Sequence, residues 1–256
     1  MIANSSMQSS SGDEATVRLS IFPETVNDET KQGLFDLWRV HLTSEFSQAQ
    51  IENFIWKSPS PEILLAFTQE RAKRADRANE LLEIAEELGM PDAVEIADAA
   101  RLSGLDAIDN RVELFTYPIE SYEECMVYRW LYNLAVVTQA MQFWGGCYVP
   151  YESWAFRHYF EVGLEEFPTR ISHRVRELIA DKFLDDHRDE IQRRLDLWSP
   201  RFLAAFGRPS SDNEKRYLRL GLKTYSNDVV AKIFVERLSE DVTVLGLRMP
   251  ALGLSK

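Results

Sequence analysis

The sequence predicts an all-α protein, a bundle of long helices followed by a helical C-terminal extension, and three observations predict it. Glycine and proline, 11 and 10 of 256 residues, gather at intervals and leave long uninterrupted stretches between them. Those stretches repeat apolar residues at steps of three and four, the period of one helix face, and lack the two-residue alternation of a strand. The breaks between them are of the kinds that stop helices: a Pro-Ser-Pro cluster, lone glycines after amphipathic runs, and one Gly-Gly pair.

Taken in order, the first long segment runs over about 28–56 and is closed by Lys57, Ser58, Pro59, Ser60 and Pro61. Pro61 suits a first helical position, because its missing N–H would have no partner there, and the second segment runs from it to Gly89. A short, Ala-rich segment follows over about 91–103, then a connection around Tyr117 and Pro118. The third long segment spans 122–145 and ends at Gly145 and Gly146; the fourth covers 150–167. Pro168 introduces a very long stretch to about Phe206, and two further helices are expected over 214–222 and 227–238. The domain reading is a flexible Ser-rich tail over 1–20, a bundle over 21–206, and an extension over 207–256 packed on it. No repeat of 20–50 residues, GxGxxG, P-loop or GxSxG occurs, so solenoid, nucleotide and hydrolase readings have no support.

A hydrophobic content of 45% is enough for one sizeable core. The net charge of −12, from 41 acidic and 29 basic side chains, argues against nucleic acid, which is gripped by clustered Lys and Arg. The same acidity repels anionic lipid, and no stretch approaches the ~20 apolar residues that cross a bilayer. Cys125 and Cys147 stand in no metal-recruiting spacing and read as ordinary buried thiols. The N-terminal MIANSSMQSSSGDEAT has neither the basic nor the apolar region of a secretion signal, so a cytoplasmic protein is expected.

Polar residues interrupt the inward stripes. On the second segment the stripe collects Leu64, Phe67, Arg71, Arg74, Ala78, Leu81 and Ala85; on the third, Met126, Trp130, Asn133, Val137, Ala140 and Trp144. The fourth gives Trp154, His158, Glu161 and Glu165. The first segment offers two neighbouring stripes, one through Leu34, Trp38, His41, Glu45, Gln48, Glu52 and Ile55, the other through Phe35, Trp38, Leu42, Phe46 and Ala49. Charged residues at such spacings are ordinarily solvated. Their convergence from several helices at similar depth is what points to an internal network in which guanidinium donors meet carboxylates.

Several of these segments resemble the PaaA and PaaC family, the ferritin-like subunits of the bacterial phenylacetyl-CoA epoxidase, and PaaA above all. The resemblance is carried by ILLAFTQERAKR (63–74), WLYNLAVVTQAM (130–141), CYVPYESW (147–154), KTYSNDVVAKIFVE (223–236) and VLGLRMP (244–250), and it extends over roughly 45–250. It implies a ferritin-like four-helix bundle and a diiron oxygenase scaffold, in which each helix pair offers a carboxylate and an ExxH. Matched to that pattern, the first ExxH falls on Arg71 and Arg74, or on Arg74 and Arg77 in the alternative register. The family aspartate falls on Asn133, the second ExxH on Val162 and Glu165 with Glu161 just before, and the first-helix glutamate on Glu45 or Glu52. No ExxH occurs anywhere in the 256 residues, so no shift of register restores it.

The resemblance with these replacements implies a metal-free subunit without cofactor, in which Glu45, Glu52, Arg71, Arg74, Asn133, Glu161 and Glu165 form a polar network where the metals would lie. Its partner is expected to be a homologous ferritin-like subunit, in a homo- or hetero-oligomer. The alternative is an active diiron monooxygenase with a rearranged ligand set, Glu45, Glu52, His158, Glu161 and Glu165, supported by the HxxE at His158, which recurs at His187 and Glu190. A third reading keeps an acyl-CoA pocket lined by aromatics such as Trp130, Trp144 and Trp154.

Overall fold

The computed structural model describes residues 27–47, 57–58, 61–102, 114, 117–140 and 184–252. The fold is all-α. Its helices there are α1 (Asp28–Ser47), α2 (Pro61–Glu87), α3 (Ala93–Leu102), α4 (Tyr122–Ala140), α5 (Leu184–Ala205), α6 (Asp212–Arg219) and α7 (Asn227–Val244), and no strand occurs among the described residues. None of these helices is long and apolar enough to cross a membrane. The expected tail over 1–20 and the expected fourth long helix over 150–167 lie outside the described residues.

Local chemistry sets the helix ends. Asn27 caps α1 by accepting the Thr30 N–H at 2.8 Å, and Asp28 and Glu29 place negative charge in the first turn. Pro61 begins α2 as its ring geometry favours. That helix ends at Glu87 in a Schellman turn: Gly89 adopts φ +71° while the Met90 N–H returns to the Ala85 carbonyl at 3.0 Å. Gly246, at φ +63°, ends α7 the same way, with the Leu247 N–H on the Val242 carbonyl at 2.9 Å. The sequence reading stopped α7 near Leu238, yet nothing between there and Gly246 interrupts a helix, and α7 continues to Val244. It also placed α6 over 214–222; the helix starts earlier because Ser211 caps it, accepting the Glu214 N–H at 3.3 Å.

Two apolar clusters organise the molecule. α4 packs against α5 and α7, burying Met126, Trp130, Leu131, Leu195, Trp198, Phe202 and Phe234. α1 packs against α2 and α3, burying Leu34, Trp38, Leu42, Leu81 and Ala85, with Leu222 from the turn after α6. Val136 on α4 touches both clusters. Trp38 is held in register by its indole N–H, which donates to the Leu81 carbonyl at 3.1 Å. α3 is tied to α1 by Arg39, whose Nε and Nη2 both donate to Asp92 Oδ2, at 2.9 and 2.6 Å. α6 is tied to α1 by Arg216 on Asp36 at 3.4 Å and by Arg219 on Glu29, an exposed pair that lowers the Glu29 pKa through the Arg219 hydrogen bond.

After α7 the chain runs back along α5. Gln192 clasps Arg248 from both sides of its peptide plane, accepting the Arg248 N–H at 2.7 Å and donating to the Arg248 carbonyl at 3.1 Å. Arg188 meets the Leu245 and Gly246 carbonyls at 3.2 and 3.0 Å, so the orphan carbonyls at the α7 C-terminus face a cation. The Pro200 ring lies inside α5 and withholds one N–H from the ladder, while the neighbouring Ser199 hydroxyl donates to the Leu195 carbonyl at 2.7 Å.

Candidate functional site

The interior where α1, α2 and α4 approach one another carries the polar residues that the stripes single out. Ser44 on α1 and Tyr132 on α4 share a hydrogen bond of 2.8 Å between their hydroxyls, which fixes the two helices side by side at that depth. One residue further along α1, Glu45 turns inward and meets Arg77 of α2, with Glu45 Oε2 3.9 Å from Arg77 Nε and both side chains about 5% exposed or less. At that distance the contact is a charge pairing and not a direct hydrogen bond. Two opposite charges so deeply buried interact more strongly than they would at the surface, and each loses its hydration, so the pair is costly to form and costlier to break.

α4 contributes two more interior polar groups. Asn133 is 5% exposed, and its Nδ2 is buried without a hydrogen-bond partner. One turn earlier Arg129 is 1% exposed, placing a second guanidinium inside the molecule on the same face as Asn133. Every fourth or fifth residue from Glu124 onward, Glu124, Arg129 and Asn133, is thus polar and buried in an otherwise apolar helix. Arg129 is the residue that the stripe reading missed, since it lies beside the stripe through Met126, Trp130 and Asn133. The signal was available: α4 buries nearly its whole circumference, so any charge in its middle turns is forced inward.

The other expected site residues distribute as follows. Glu45, left open between inside and flank by the sequence, is inside. Glu52, His158, Glu161 and Glu165 lie outside the described residues, as do the side chains of Arg71 and Arg74 on α2. Ala78, Leu81 and Ala85 of the α2 stripe are buried, and the buried arginine that is described on that helix is Arg77, which belongs to the alternative register of the ExxH match. Trp130, expected in an aromatic ligand pocket, is fully buried with its indole N–H committed to Asp241 Oδ2 of α7 at 2.7 Å. Trp144 and Trp154 lie outside the described residues. Cys125 is a buried thiol, as expected of an ordinary core cysteine. The second HxxE, His187 and Glu190, does not converge on one point: His187 faces Glu123 at 3.2 Å, while Glu190 is engaged by Arg193 and Arg194. Among the described residues, no group of three or more His, Cys, Asp or Glu side chains is arranged to hold a metal.

Beside the Ser44–Tyr132 hydrogen bond lies a cavity of about 30 Å³, walled on its polar side by His41, Ser44, Tyr132 and Gln139 and on its apolar side by Phe202 and Phe206. It has room for roughly two water molecules. His41 stands edge-on to Trp38, ring centroids 6.4 Å apart, and burial pushes its imidazole down to about 3, with the Lys223 charge adding to the effect. The imidazole is neutral at physiological pH. The unfolded chain, with an ordinary pKa of 6.5, binds a proton at this position that the folded chain refuses. The contribution of neutral His41 is therefore complete above pH 6.5 and is lost progressively as pH falls from there toward 3. His41→Gln is expected to flatten that part of the profile, which chemical-denaturation midpoints at pH 7 and pH 5 will show as a smaller acid loss than in the parent protein.

Compared with known proteins, the chain matches no family model and no curated protein.

Proposed function

We propose that the chain is a ferritin-like relative of PaaA and PaaC that works as a metal-free structural or accessory subunit of an aromatic acyl-CoA oxygenase type of system, pairing with a homologous ferritin-like subunit. The observation that carries this reading is the buried Glu45–Arg77 pair. A carboxylate that serves iron needs its oxygens turned to the metal, with any cation kept away. Here a guanidinium occupies that side of Glu45, and a second one, Arg129, lies one turn from Asn133 in the same helix. Asparagine supplies a neutral amide in place of a charged ligand, and two buried guanidiniums raise the local potential against a divalent cation. These residues do not fit a diiron centre, and they do fit a network in which interior carboxylates balance interior arginines.

The sequence segments quoted above support the family side of the reading, and the all-α architecture is compatible with it. A scaffold role gives a reason to keep a polar interior without chemistry: opposite charges on facing helices fix register more strictly than apolar contacts do. Metal analysis of protein produced with iron in the medium tests it. Less than about 0.1 iron per chain is expected, with no near-ultraviolet band beyond that of the aromatic residues. About two irons per chain would instead establish the rearranged ligand set of Glu45, Glu52, His158, Glu161 and Glu165 and end the scaffold reading.

A further inference from the structure

Lys223 occupies the short turn between α6 and α7, and its surroundings differ from those of the exposed lysines. Lys215 and Lys232 stand in solvent beside carboxylates, Asp212 at 3.9 Å and Asp228 at 2.6 Å. The Lys223 ammonium has an amide and a ring: its Nζ donates to Asn227 Oδ1 at 3.1 Å and lies 5.7 Å from the centre of the Tyr217 ring. Among the described residues no carboxylate comes within ion-pairing distance of it.

Three features of the turn work against a positive charge there. The side chain is largely buried, which strips water from the charged form. Asn227 is the first residue of α7, an 18-residue helix capped by Ser226, so the amine sits at the positive end of the helix dipole. From α1, His41 faces the same region with a neutral imidazole and offers no compensating charge. The one opposing group is Glu214 of α6, and its carboxylate is already engaged by the backbone N–H groups of Ser210 and Asn227. Together these hold the Lys223 amine well below the ordinary lysine range, at about 8.

We infer that Lys223 is a reactive amine, a modification site that takes small uncharged carbonyl electrophiles while the exposed lysines remain protonated. In the step, the neutral Nζ lone pair adds to the carbonyl carbon and a C–N bond forms. The bond from that carbon to its leaving group breaks, the leaving group departs with the electron pair, and Nζ releases one proton to solvent. No oxidant or reductant is involved. The amide product carries no charge, so acylation relieves the conflict between a cation and the α7 N-terminus. The inference is independent of whether the interior holds a metal.

Trace acetylation of the full chain with acetic anhydride, mapped by peptide mass spectrometry, tests it. An amine with a pKa near 8 is about one-tenth neutral at pH 7, whereas an ordinary lysine is neutral only about once in 2,500. Allowing for the lower basicity and access of Lys223, it is expected to react at least about tenfold faster than Lys215 and Lys232 at pH 7, with a rate that levels off above pH 8 while theirs keep rising. Asn227→Asp places a carboxylate where the amide oxygen now accepts and suits a first helical turn, so it is expected to bring Lys223 back toward the rate of the exposed lysines. Labelling of Lys223 no faster than of Lys215 and Lys232 at pH 7 overturns the inference. So does a pH profile that rises like theirs, or an Asn227→Asp variant that stays folded by circular dichroism and leaves the Lys223 rate unchanged.

Discussion

Arg77→Ala is expected to destabilise the protein by about 3–5 kcal/mol, because it leaves the Glu45 carboxylate buried with its described counter-charge removed. The size of the effect comes from burial: both side chains are about 5% exposed or less, so water cannot replace the lost guanidinium without opening the interface between α1 and α2. The same substitution at an exposed pair such as Lys232 with Asp228 would cost no more than about 1 kcal/mol. The apolar double substitution Glu45→Leu with Arg77→Met is expected to lie much closer to the parent protein than Arg77→Ala alone, since it removes both desolvated charges and keeps their volume. Denaturant unfolding followed by tryptophan fluorescence, run on both singles and the double, gives the coupling. A double variant as unstable as the sum of its singles would mean that Glu45 and Arg77 do not act as a pair.

How far these features were legible varies with their physical origin. The all-α class and most helix ends follow from local rules, and Pro61, Gly89 and the Tyr122 start fall where such rules put them. The stripes located the buried faces of α1, α2 and α4 correctly, but a stripe is a direction averaged over many turns. It could not choose between Glu45 inside and Glu45 at the flank, because two neighbouring stripes of α1 are both buried: Leu34, Phe35, Trp38 and Leu42 all lie in the core. Nor could it single out Arg77, whose burial depends on where the α1 face meets α2. Arg129 was missed for a different reason. A helix surrounded on all sides has no polar face, and a one-stripe reading of such a helix hides every charge that lies off the stripe. The Ser-x-x-Glu signals before α4 and α6, Ser121 with Glu124 and Ser211 with Glu214, are short-range and were open to a sequence reader. What lay beyond any such reading is that both glutamates continue past their own caps into tertiary contacts.

Glu124 shows how much rests on that second role. Its N–H is capped by the Ser121 hydroxyl at 3.1 Å and its carboxylate accepts the Glu120 N–H at 2.8 Å, which completes the start of α4. The other oxygen accepts the indole N–H of Trp198 from α5 at 2.8 Å, and Arg194 approaches the carboxylate at 3.1 Å. Trp198 is fully buried, lies edge-on to Tyr128 with centroids 4.9 Å apart, and is covered by the Arg201 guanidinium 4.9 Å from its ring. One side chain therefore joins the cap of α4, the middle of α5 and the aromatic centre of the larger cluster. Trp198→Ala is expected to cost at least about 3–5 kcal/mol for the cavity alone, with about 1–3 kcal/mol more because Glu124 loses a buried donor. Trp198→Phe separates the two contributions: it keeps most of the ring volume and removes the N–H, so about 1–3 kcal/mol of loss is expected, well short of the alanine variant. Equilibrium unfolding of the two variants side by side measures the difference. If Trp198→Phe proved as stable as the parent protein, the hydrogen bond to Glu124 would contribute nothing and the packing of the indole would account for the whole effect.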